Sequence, residues 1–344
     1  MISPAIHTLA AQEQSLWLDN INRSLIDSGT LDRYIQEDGV TGLTSNPSIF
    51  DHALQHSTAY DDQIHSPSFC TLDKESAFFS LAITDLTRAA QRFLSVRRRT
   101  AGHDGWVSLE VSPWLAHAAL RTFEQAWQLP SEAALPNLMI KIPGTSEGRQ
   151  AITKAIASGV PVNVTLIFFA EQYKAAADGY MSGLEQRLAA GESVTILSVI
   201  SIFVSRWDIA LNPKLSDTRR NRLGLMVAQT CYQTFQEIQC TPRWQRLADA
   251  VAPSQRQIWA STGTKDPELT EDFYVSSLVT LQTINTLPEK TLLCLAQQRW
   301  TAVPMANDRN VRQEILASVA TVGIDIHAEA QILQESGAEA FVAA

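Results

Sequence analysis

The sequence predicts an α/β protein, a (β/α)8 TIM barrel with additional helices, and three observations support this fold class. The 344 residues are too many for a typical sandwich or bundle and suit one large barrel or two domains. Short apolar segments alternate with longer segments of helical period along the chain. No glycine-rich dinucleotide turn follows any apolar segment, which argues against the alternative, a doubly wound open sheet.

The predicted strands are short and nearly apolar throughout, as expected for strands that are covered on both faces. Seven of them are SLWLDNI (15–21), GVTGLTS (39–45), WVSLEVS (106–112), NLMIKIPG (137–144), PVNVTLIF (161–168), ILSVISIF (196–203) and RQIWAST (256–262). We assign the eighth strand to VTLQTIN (279–285). Because a typical barrel needs about 250 residues, the remaining length predicts helices at the termini and a long insertion after SNPSIF.

Two of the predicted helices show an apolar stripe with steps of three and four residues, the spacing of one buried helical face. The first stripe comprises Phe79, Ile83, Leu86, Ala90 and Phe93. The second comprises Tyr173, Ala177, Tyr180, Leu184 and Leu188. Residues 216–240 and the segment from residue 311 onward are further helical candidates. Because no repeat or linker divides the chain, we expect a single barrel domain over residues 1–344.

Composition excludes several classes of function. The chain has 27 Lys and Arg against 36 Asp and Glu, a net charge of −9, which argues against nucleic acid or an anionic membrane as the main partner. Four scattered cysteines with no CxxC pair indicate a reducing compartment. The N-terminus lacks the pattern of a signal peptide, and no apolar run approaches the roughly 18 residues of a membrane helix. We expect a cytoplasmic protein, and the sequence leaves a monomer and a homodimer open.

Polar side chains stand near the expected carboxyl end of seven consecutive predicted strands. In a barrel these ends meet on one rim, where active sites are built. The residues are Asp19, Asn46, Glu110, Lys141, Asn163 with Thr165, Ser201 and Ser261. Their convergence predicts a site at this rim.

Lys141 is the most informative of these residues. The chain has seven lysines, and Lys141 alone lies within an apolar strand, LMIKIPG. Because an unpaired buried ammonium is costly, this lysine must find a partner or lose its proton. A lysine with a lowered pKa is a nucleophile suited to a Schiff base with a carbonyl substrate. The alternative is a structural ion pair with Glu110, and the sequence leaves both open.

Two carboxylates, Asp19 and Glu110, are expected to project into the same pocket. Imine chemistry needs groups that move protons, and carboxylates tuned by burial can do this; capping or ion pairing is the alternative for each. Four further residues are suited to hydrogen-bonding a polyhydroxylated substrate: Asn46, Asn163, Thr165 and Ser201. For Asn46 the alternative is turn formation before Pro47.

The late strands also predict a phosphate site. Arg206 follows one strand in SIFVSRWD, and Ser261 and Lys265 lie after the next in ASTGTKDP. The loops after late strands commonly form the phosphate pocket of a barrel. Because STGTK lacks the spacing of a nucleotide-binding loop, the sequence gives no reason to expect a nucleotide.

Six segments in this order resemble the transaldolase family: GVTGLTSNPSIF, DGWVSLEVSP, PNLMIKIPGTSEG, GVPVNVTLIF, SVISIFVSRWD and WASTGTKDP. The resemblance extends from about residue 15 to the end, including TINTLPEKTL and GIDIHAEAQILQESGAEAFVAA. It implies a class I aldolase barrel that needs neither metal nor cofactor. It also implies transfer of a dihydroxyacetone unit from sedoheptulose 7-phosphate or fructose 6-phosphate to an aldose phosphate, glyceraldehyde 3-phosphate or erythrose 4-phosphate, in the non-oxidative pentose phosphate pathway.

The resemblance also implies catalytic roles. Lys141 would attack the C2 carbonyl to form the imine, and Glu110 would manage its proton transfers through a water held with Thr165. Asp19 would take the proton from the C4 hydroxyl so that the C3–C4 bond breaks. The resulting enamine would be held by Asn46 and Asn163.

Further positions match the family's substrate-binding residues. Ser201 and Phe203 would line the pocket, and Arg206 and Ser261 would bind phosphate. Lys265 would supply a second basic phosphate contact, although part of the family has Arg in a differently spaced loop. Trp114 stands where relatives often carry a basic residue, which implies a different substrate preference if it faces the pocket mouth.

Two other functions are compatible with these residues. One is a fructose 6-phosphate aldolase, a lyase that hydrolyses the enamine instead of transferring it. The other is a transaldolase-like barrel that serves another pathway or only binds a ligand.

Overall fold

A computed structural model describes residues 2–45, 47–216, 219–301, 303–305 and 308–343. Within these residues, eight parallel strands close into a barrel in chain order, with β1 paired to β8. Strands β1 to β8 span Ser15–Leu18, Val40–Thr44, Val107–Glu110, Leu138–Pro143, Val162–Ile167, Ser198–Phe203, Arg256–Ala260 and Ile284–Leu287. The predicted (β/α)8 barrel is therefore confirmed.

Seven strands lie within their predicted segments, but the position predicted for the eighth is wrong. The segment 279–285 was expected to be the strand, whereas β8 begins only at Ile284 and ends at Leu287. Gln282 has a left-handed φ of 56°, a conformation that cannot continue an extended strand. The strand therefore starts beyond this turn and ends before Pro288.

Helices surround the barrel. The α-helices α1 to α16 in the described residues span Pro4–Ala11, Arg23–Asp27, Thr30–Glu37, Pro47–His56, Asp61–Ile64, Lys74–Arg99, Ala119–Ala133, Ser146–Ala157, Ala170–Ala189, Ser205–Leu211, Leu223–Gln239, Pro242–Asp249, Phe273–Ser277, Glu289–Leu295, Arg309–Thr321 and Ile326–Ala343. Short 3₁₀ turns η1 to η4 span Thr58–Tyr60, Phe69–Thr71, Pro113–Leu115 and Asn212–Lys214.

The helical predictions are confirmed with two changes of boundary. The two apolar stripes lie on α6 and α9, but Leu188, expected on the buried stripe of α9, is 44% exposed because it stands at the last turn of the helix. The candidate 216–240 becomes helical only from Leu223, and residues 217–218 within it lie outside the described residues. The segment from residue 311 forms two helices, α15 and α16. The chain turns between them at Gly323, whose φ of 77° is left-handed.

Inside the barrel, an apolar cluster lies toward the end where the strands begin, and polar side chains lie toward the carboxyl end. A cluster of buried side chains fills the end where the strands begin: Trp17, Trp106, Met139, Val199, Ile258 and Ile284. Toward the carboxyl ends, the interior side chains change to Thr44, Ser108, Glu110, Lys141, Asn163, Thr165, Ser201 and Thr286, all of them buried. A water-shielded polar site is thus built at the carboxyl end, on an apolar floor.

Helix α16 lies across this carboxyl end. Gln334 donates from Nε2 to the carbonyl oxygens of Gly144 and Leu166, at 3.2 and 2.7 Å, which ties the helix to the ends of β4 and β5. A Cβ atom on Gly337 would come within 2.8 Å of the Leu166 side chain, so the backbone of the helix approaches the barrel closely. The last described helix therefore lies over the β4 and β5 side of the mouth of the barrel.

No single helix among the described residues is long and apolar enough to cross a membrane. The pair Arg309–Thr321 and Ile326–Val342 meets the length and composition requirement only when its two helices are joined, and they meet at an angle of 82°.

Candidate active site

Lys141 and Glu110 form a buried pair inside the carboxyl end of the barrel. They are partners in the parallel register of β3 and β4, so both side chains point to the same face of the sheet. Lys141 Nζ lies 3.2 Å from Glu110 Oε2 and donates to the carbonyl oxygen of Ser45, also at 3.2 Å. The ion pair that was the alternative for Lys141 is therefore present, and it lies at the position expected of a reactive lysine.

The carboxylate of Glu110 has few partners for a buried charge. Apart from the contact with Lys141, no residue in the described part of the chain donates a hydrogen bond to either oxygen. Burial raises the pKa of Glu110 above its usual range, while the positive charge of Lys141 opposes the rise and the nearby Asp19 adds to it. A carboxylate in this state can accept the proton that Lys141 must lose before it attacks a carbonyl.

Asp19 directly follows β1 and is oriented by a hydroxyl group from the neighbouring strand β2. Thr44 at the end of β2 donates from Oγ1 to Asp19 Oδ1 at 2.9 Å. The same Oγ1 lies 2.9 Å from Thr286 Oγ1 on β8. We did not single out Thr44 or Thr286 from the sequence, although the two-residue alternation in GVTGLT predicts an inward side chain at Thr44.

Asn163 belongs to a hydrogen-bonded chain across the barrel. Its Nδ2 donates to Ser108 Oγ on β3 at 3.1 Å, and its Oδ1 accepts from Ser201 Oγ on β6 at 3.0 Å. Because β3 and β5 are not adjacent, the first bond crosses the interior. These bonds fix the amide orientation and leave one Nδ2 proton for a ligand. Ser108 was missed in the sequence, where its place two residues before Glu110 puts it on the same face.

Thr165 is fully buried, and its Oγ1 has no hydrogen-bond partner among the described residues. It lies on β5 two residues after Asn163 and is in register with Pro143, which puts it on the interior face above Asn163. Buried hydroxyls are normally satisfied by protein or by an ordered water. Thr165 therefore has the free polar atom that the expected water site requires.

The residues predicted to bind phosphate lie on the opposite side of the mouth. Ser261 follows β7 with a left-handed φ of 56°, and its Oγ lies 2.9 Å from Ser205 Oγ at the start of α10. Arg206 is exposed on the first turn of α10 and lines a cavity of about 40 Å³ with Phe203. Lys265 is exposed four residues beyond Ser261. The predicted residue Asn46 lies outside the described residues.

Helix α10 is anchored by a buried carboxylate that we did not single out. Asp208 Oδ1 accepts hydrogen bonds from the backbone N–H groups of Leu223 and Gly224 at 3.1 and 3.2 Å, and Oδ2 accepts from Tyr274 Oη at 2.8 Å. Burial raises the pKa of Asp208 to about 6, although these donors lower it. Asp208 caps the start of α11 from a distant position in the chain, and no local sequence pattern reveals such a contact.

An apolar cavity of about 250 Å³ leads from Glu110 toward the surface. Its walls come mostly from α6 and from residues 109–114 at and after the end of β3, and Trp114 at its edge is 73% exposed. Trp114 therefore lies at one opening to the site. A position at the pocket mouth was the condition under which Trp114, standing where relatives often carry a basic residue, implies a different substrate preference. In the described part of the chain, no group of three or more His, Cys, Asp or Glu side chains is arranged to hold a metal ion.

Comparisons with known proteins identify the family of the chain. The sequence profile of the Transaldolase/Fructose-6-phosphate aldolase family matches residues 16–344. A transaldolase of Saccharopolyspora erythraea is 38% identical over 334 residues, which cover 95% of this chain and 91% of that protein. A transaldolase of Thermobifida fusca is 40% identical, covering 95% and 92% of the two chains. One of Thiobacillus denitrificans is 38% identical, covering 95% and 94%.

These matches extend across the barrel and the helix that covers it. They confirm the resemblance inferred from the six segments, and the relatives are enzymes of the transferase class by name. The chain belongs to the Transaldolase/Fructose-6-phosphate aldolase family.

Proposed function

We propose that this protein is a transaldolase that moves a dihydroxyacetone unit between sugar phosphates through a Schiff base on Lys141. The observation that carries the proposal is the buried pair of Lys141 and Glu110, 3.2 Å apart at the carboxyl end of the barrel. The donor is sedoheptulose 7-phosphate or fructose 6-phosphate, and the acceptor is glyceraldehyde 3-phosphate or erythrose 4-phosphate. These substrates place the enzyme in the non-oxidative pentose phosphate pathway, and we assign it to the cytoplasm.

Imine formation begins with transfer of a proton from Lys141 to Glu110. The neutral amine then adds its electron pair to the C2 carbonyl, one amine proton passes to the former carbonyl oxygen, and the resulting carbinolamine loses water. Glu110 returns its proton to the departing hydroxyl, which its raised pKa permits. Thr165 holds the water with its free hydroxyl, because that atom lacks another partner among the described residues.

Cleavage uses the second carboxylate. Asp19, oriented by Thr44, removes the proton from the C4 hydroxyl. The C3–C4 bond breaks, its electron pair moves into the iminium to give the enamine, and the aldose phosphate leaves. Attack of the enamine on the acceptor aldehyde reverses these steps, and hydrolysis of the new imine releases the product ketose.

The remaining residues bind substrate. Arg206 and Ser261 hold the phosphate, with Lys265 as a second basic contact when its loop approaches the ligand. Asn163 donates its remaining amide proton to a hydroxyl of the three-carbon unit, and Ser201 lies beside it. For Asn46 we propose a hydrogen bond to the same unit, on the resemblance alone. Phe203 supplies an apolar surface, where its ring packs 5.2 Å from that of Phe168.

Borohydride trapping tests the proposal. The protein is incubated with fructose 6-phosphate, reduced, and mapped by peptide mass spectrometry, with Lys174→Met as a control for an exposed lysine. We expect a dihydroxyacetone-sized adduct on the peptide that contains Lys141, and the same adduct in the control. A folded protein that gives no adduct with either fructose 6-phosphate or sedoheptulose 7-phosphate would refute the mechanism.

The lyase alternative is less well supported. The family profile includes fructose-6-phosphate aldolases, but the relatives compared above are named transaldolases. Release of free dihydroxyacetone from fructose 6-phosphate without an acceptor, at the rate of transfer, would favour the lyase.

A further inference from the structure

Phe341, in the last turn of α16, lies directly over the proposed reactive nitrogen. The centre of its ring is 5.6 Å from Lys141 Nζ, and the side chain is only 9% exposed. The mechanism above gives this residue no task.

The position of the ring is fixed by the face that α16 turns toward the barrel. That face carries residues at steps of three, four, three and four: His327, Ala330, Gln334, Gly337 and Phe341. Gln334 bonds to the ends of β4 and β5, which are the strands that carry Lys141 and Thr165. The small residue Gly337 brings the helix against Leu166. The ring is therefore held in place by the same strands that hold the site.

Phe341 forms part of the wall of two separate cavities. On one side is the apolar cavity of about 250 Å³ that ends at Glu110 and Ser45. On the other side is the cavity of about 40 Å³ that Arg206 and Phe203 line. Because the ring lines both cavities and its centre lies 5.6 Å from Lys141 Nζ, it stands where solvent in either cavity would approach the amine.

We propose that Phe341 determines the fate of the enamine, favouring transfer over hydrolysis by keeping solvent away from the three-carbon unit on Lys141. This inference rests on the proposed function. In the hydrolytic reaction, the enamine electron pair takes a solvent proton at C3, water adds to C2 of the resulting imine, and dihydroxyacetone leaves with Lys141 restored. In transfer, the same electron pair forms the new C–C bond with the acceptor aldehyde.

Covering the outer side of Lys141 does not block the water that imine chemistry needs. That water is proposed to lie beside Thr165, whose unpartnered hydroxyl is inside the barrel and fully buried. Phe341 approaches instead from α16, outside the strand ends. An apolar ring on this side offers no proton, whereas bulk water in its place would supply one to C3.

The test compares Phe341→Ala with Ile332→Ala, which removes an apolar side chain that is 53% exposed on the same helix. Two rates are measured for each variant: dihydroxyacetone release from fructose 6-phosphate alone, and transfer to erythrose 4-phosphate. We expect Phe341→Ala to raise the ratio of release to transfer by on the order of tenfold, because water then replaces the ring. Ile332→Ala should keep the wild-type ratio, and Phe341→Leu should restore most of it.

A second variant loosens the helix without changing the ring. Gln334→Ala removes both bonds to the strand ends, and we expect it to raise the ratio of release to transfer by a smaller factor than Phe341→Ala does.

If wild-type protein gives neither an adduct on Lys141 nor transfer, the proposed function itself fails. If wild-type protein transfers while Phe341→Ala and Gln334→Ala both keep its ratio, the role of Phe341 is refuted and the proposed function stands. Equal loss of release and transfer in Phe341→Ala would also refute that role.

Discussion

The two ends of the barrel each contain a buried ion pair, but the pairs differ in how their charges are satisfied. At the end where the strands begin, Arg256 NH1 lies 3.2 Å from Asp104 Oδ1. Ser15 donates to Asp104 and accepts from Arg256, both at 2.6 Å. Trp17 Nε1 donates to Asp104 at 3.0 Å, and Arg256 also donates to the carbonyl oxygen of Thr283 at 3.0 Å. The atoms of this pair are held by a network.

At the carboxyl end, the carboxylate of Glu110 has Lys141 as its one donor among the described residues. A fully hydrogen-bonded pair resists any change of protonation, because each proton has a fixed place. A pair with unsatisfied oxygens is poorly stabilised in its charged form and can pass a proton within itself. From this comparison we propose that the shortage of further donors, and not burial alone, marks the reactive pair.

The largest expected effect is the loss of transfer when the Lys141–Glu110 pair at the carboxyl end is broken. Lys141→Met should lower the rate of transfer by on the order of 10⁴-fold or more, because no other group in the proposed mechanism forms the imine. Its stability should fall modestly, since Glu110 can take up a proton when its partner is lost. Steady-state assays and urea unfolding measure the two effects, with Lys174→Met as the matched control. Transfer at a tenth of the wild-type rate would show that Lys141 is a structural residue.

The Arg256–Asp104 pair should show the reverse behaviour, in which breaking it lowers stability but leaves the chemistry on Lys141 intact. Arg256→Met leaves Asp104 buried without its guanidinium, and we expect a loss of about 3–5 kcal/mol in the free energy of unfolding. The fraction that remains folded should still give the Lys141 adduct after borohydride reduction. Arg98→Met, which removes an exposed guanidinium on α6, should change stability little. A stable Arg256→Met protein without the adduct would contradict the division between the two ends.

Glu110→Gln tests whether the unsatisfied carboxylate moves protons. Glutamine keeps the shape of the side chain but cannot accept the proton from Lys141, so imine formation should slow by on the order of 10²–10³-fold. The rate of adduct formation under single-turnover conditions measures this step. Glu75→Gln serves as the control, because Glu75 lines the outer part of the same cavity. Equal rates in Glu110→Gln and wild type would assign the proton transfer to another group.

Asp208 shows whether the position of a buried carboxylate or its hydrogen bonding matters more. It lies near the mouth, as Glu110 does, but it accepts three hydrogen bonds. Its pKa is raised from 3.8 to about 6, so the folded state binds more protons than the unfolded state between these values. Its contribution to stability therefore falls as pH rises through this window and is fully unfavourable above it. Asp208→Asn should be increasingly stabilising from about pH 4 to about pH 7, by about 2–3 kcal/mol at most.

Urea unfolding of Asp208→Asn and wild type across this pH range measures the difference. Asparagine can keep the same bonds, with Oδ1 accepting from the two N–H groups and Nδ2 donating to Tyr274. The rate of transfer should change little if the network is structural. A difference in stability that does not vary with pH would show that Asp208 does not titrate in this range.

The sequence predicted the fold and the rim residues because both depend on local patterns. A short segment is enough to identify an apolar strand. The direction of the chain then places Glu110 and Lys141 at the carboxyl end of their strands. The parts that were missed depend on contacts across the barrel. Ser108 and Thr286 lie within their strands, before the carboxyl ends. Their roles come from hydrogen bonds to Asn163 and Thr44, which lie on other strands.

Two other failures have different causes. The eighth strand was misplaced because VTLQTIN continues the alternation through a turn that only the backbone at Gln282 reveals. Phe341 lies 200 residues beyond Lys141 in the chain, and no periodicity within α16 identifies what its apolar face covers. The single-domain organisation and the catalytic roles of the rim residues remain predictions.

The pairing of β1 with β8 also has a consequence for the biosynthesis of the protein. Gln14, just before β1, donates to Thr283, just before β8, across 269 residues of chain. At about 5–20 residues per second, a ribosome needs on the order of tens of seconds to make that length. During this time the first strand has no neighbour on one side, and an unpaired apolar edge can associate with other chains. The earliest strand to be synthesised is thus the last to be completed by its partner, and a truncated product would keep that edge open.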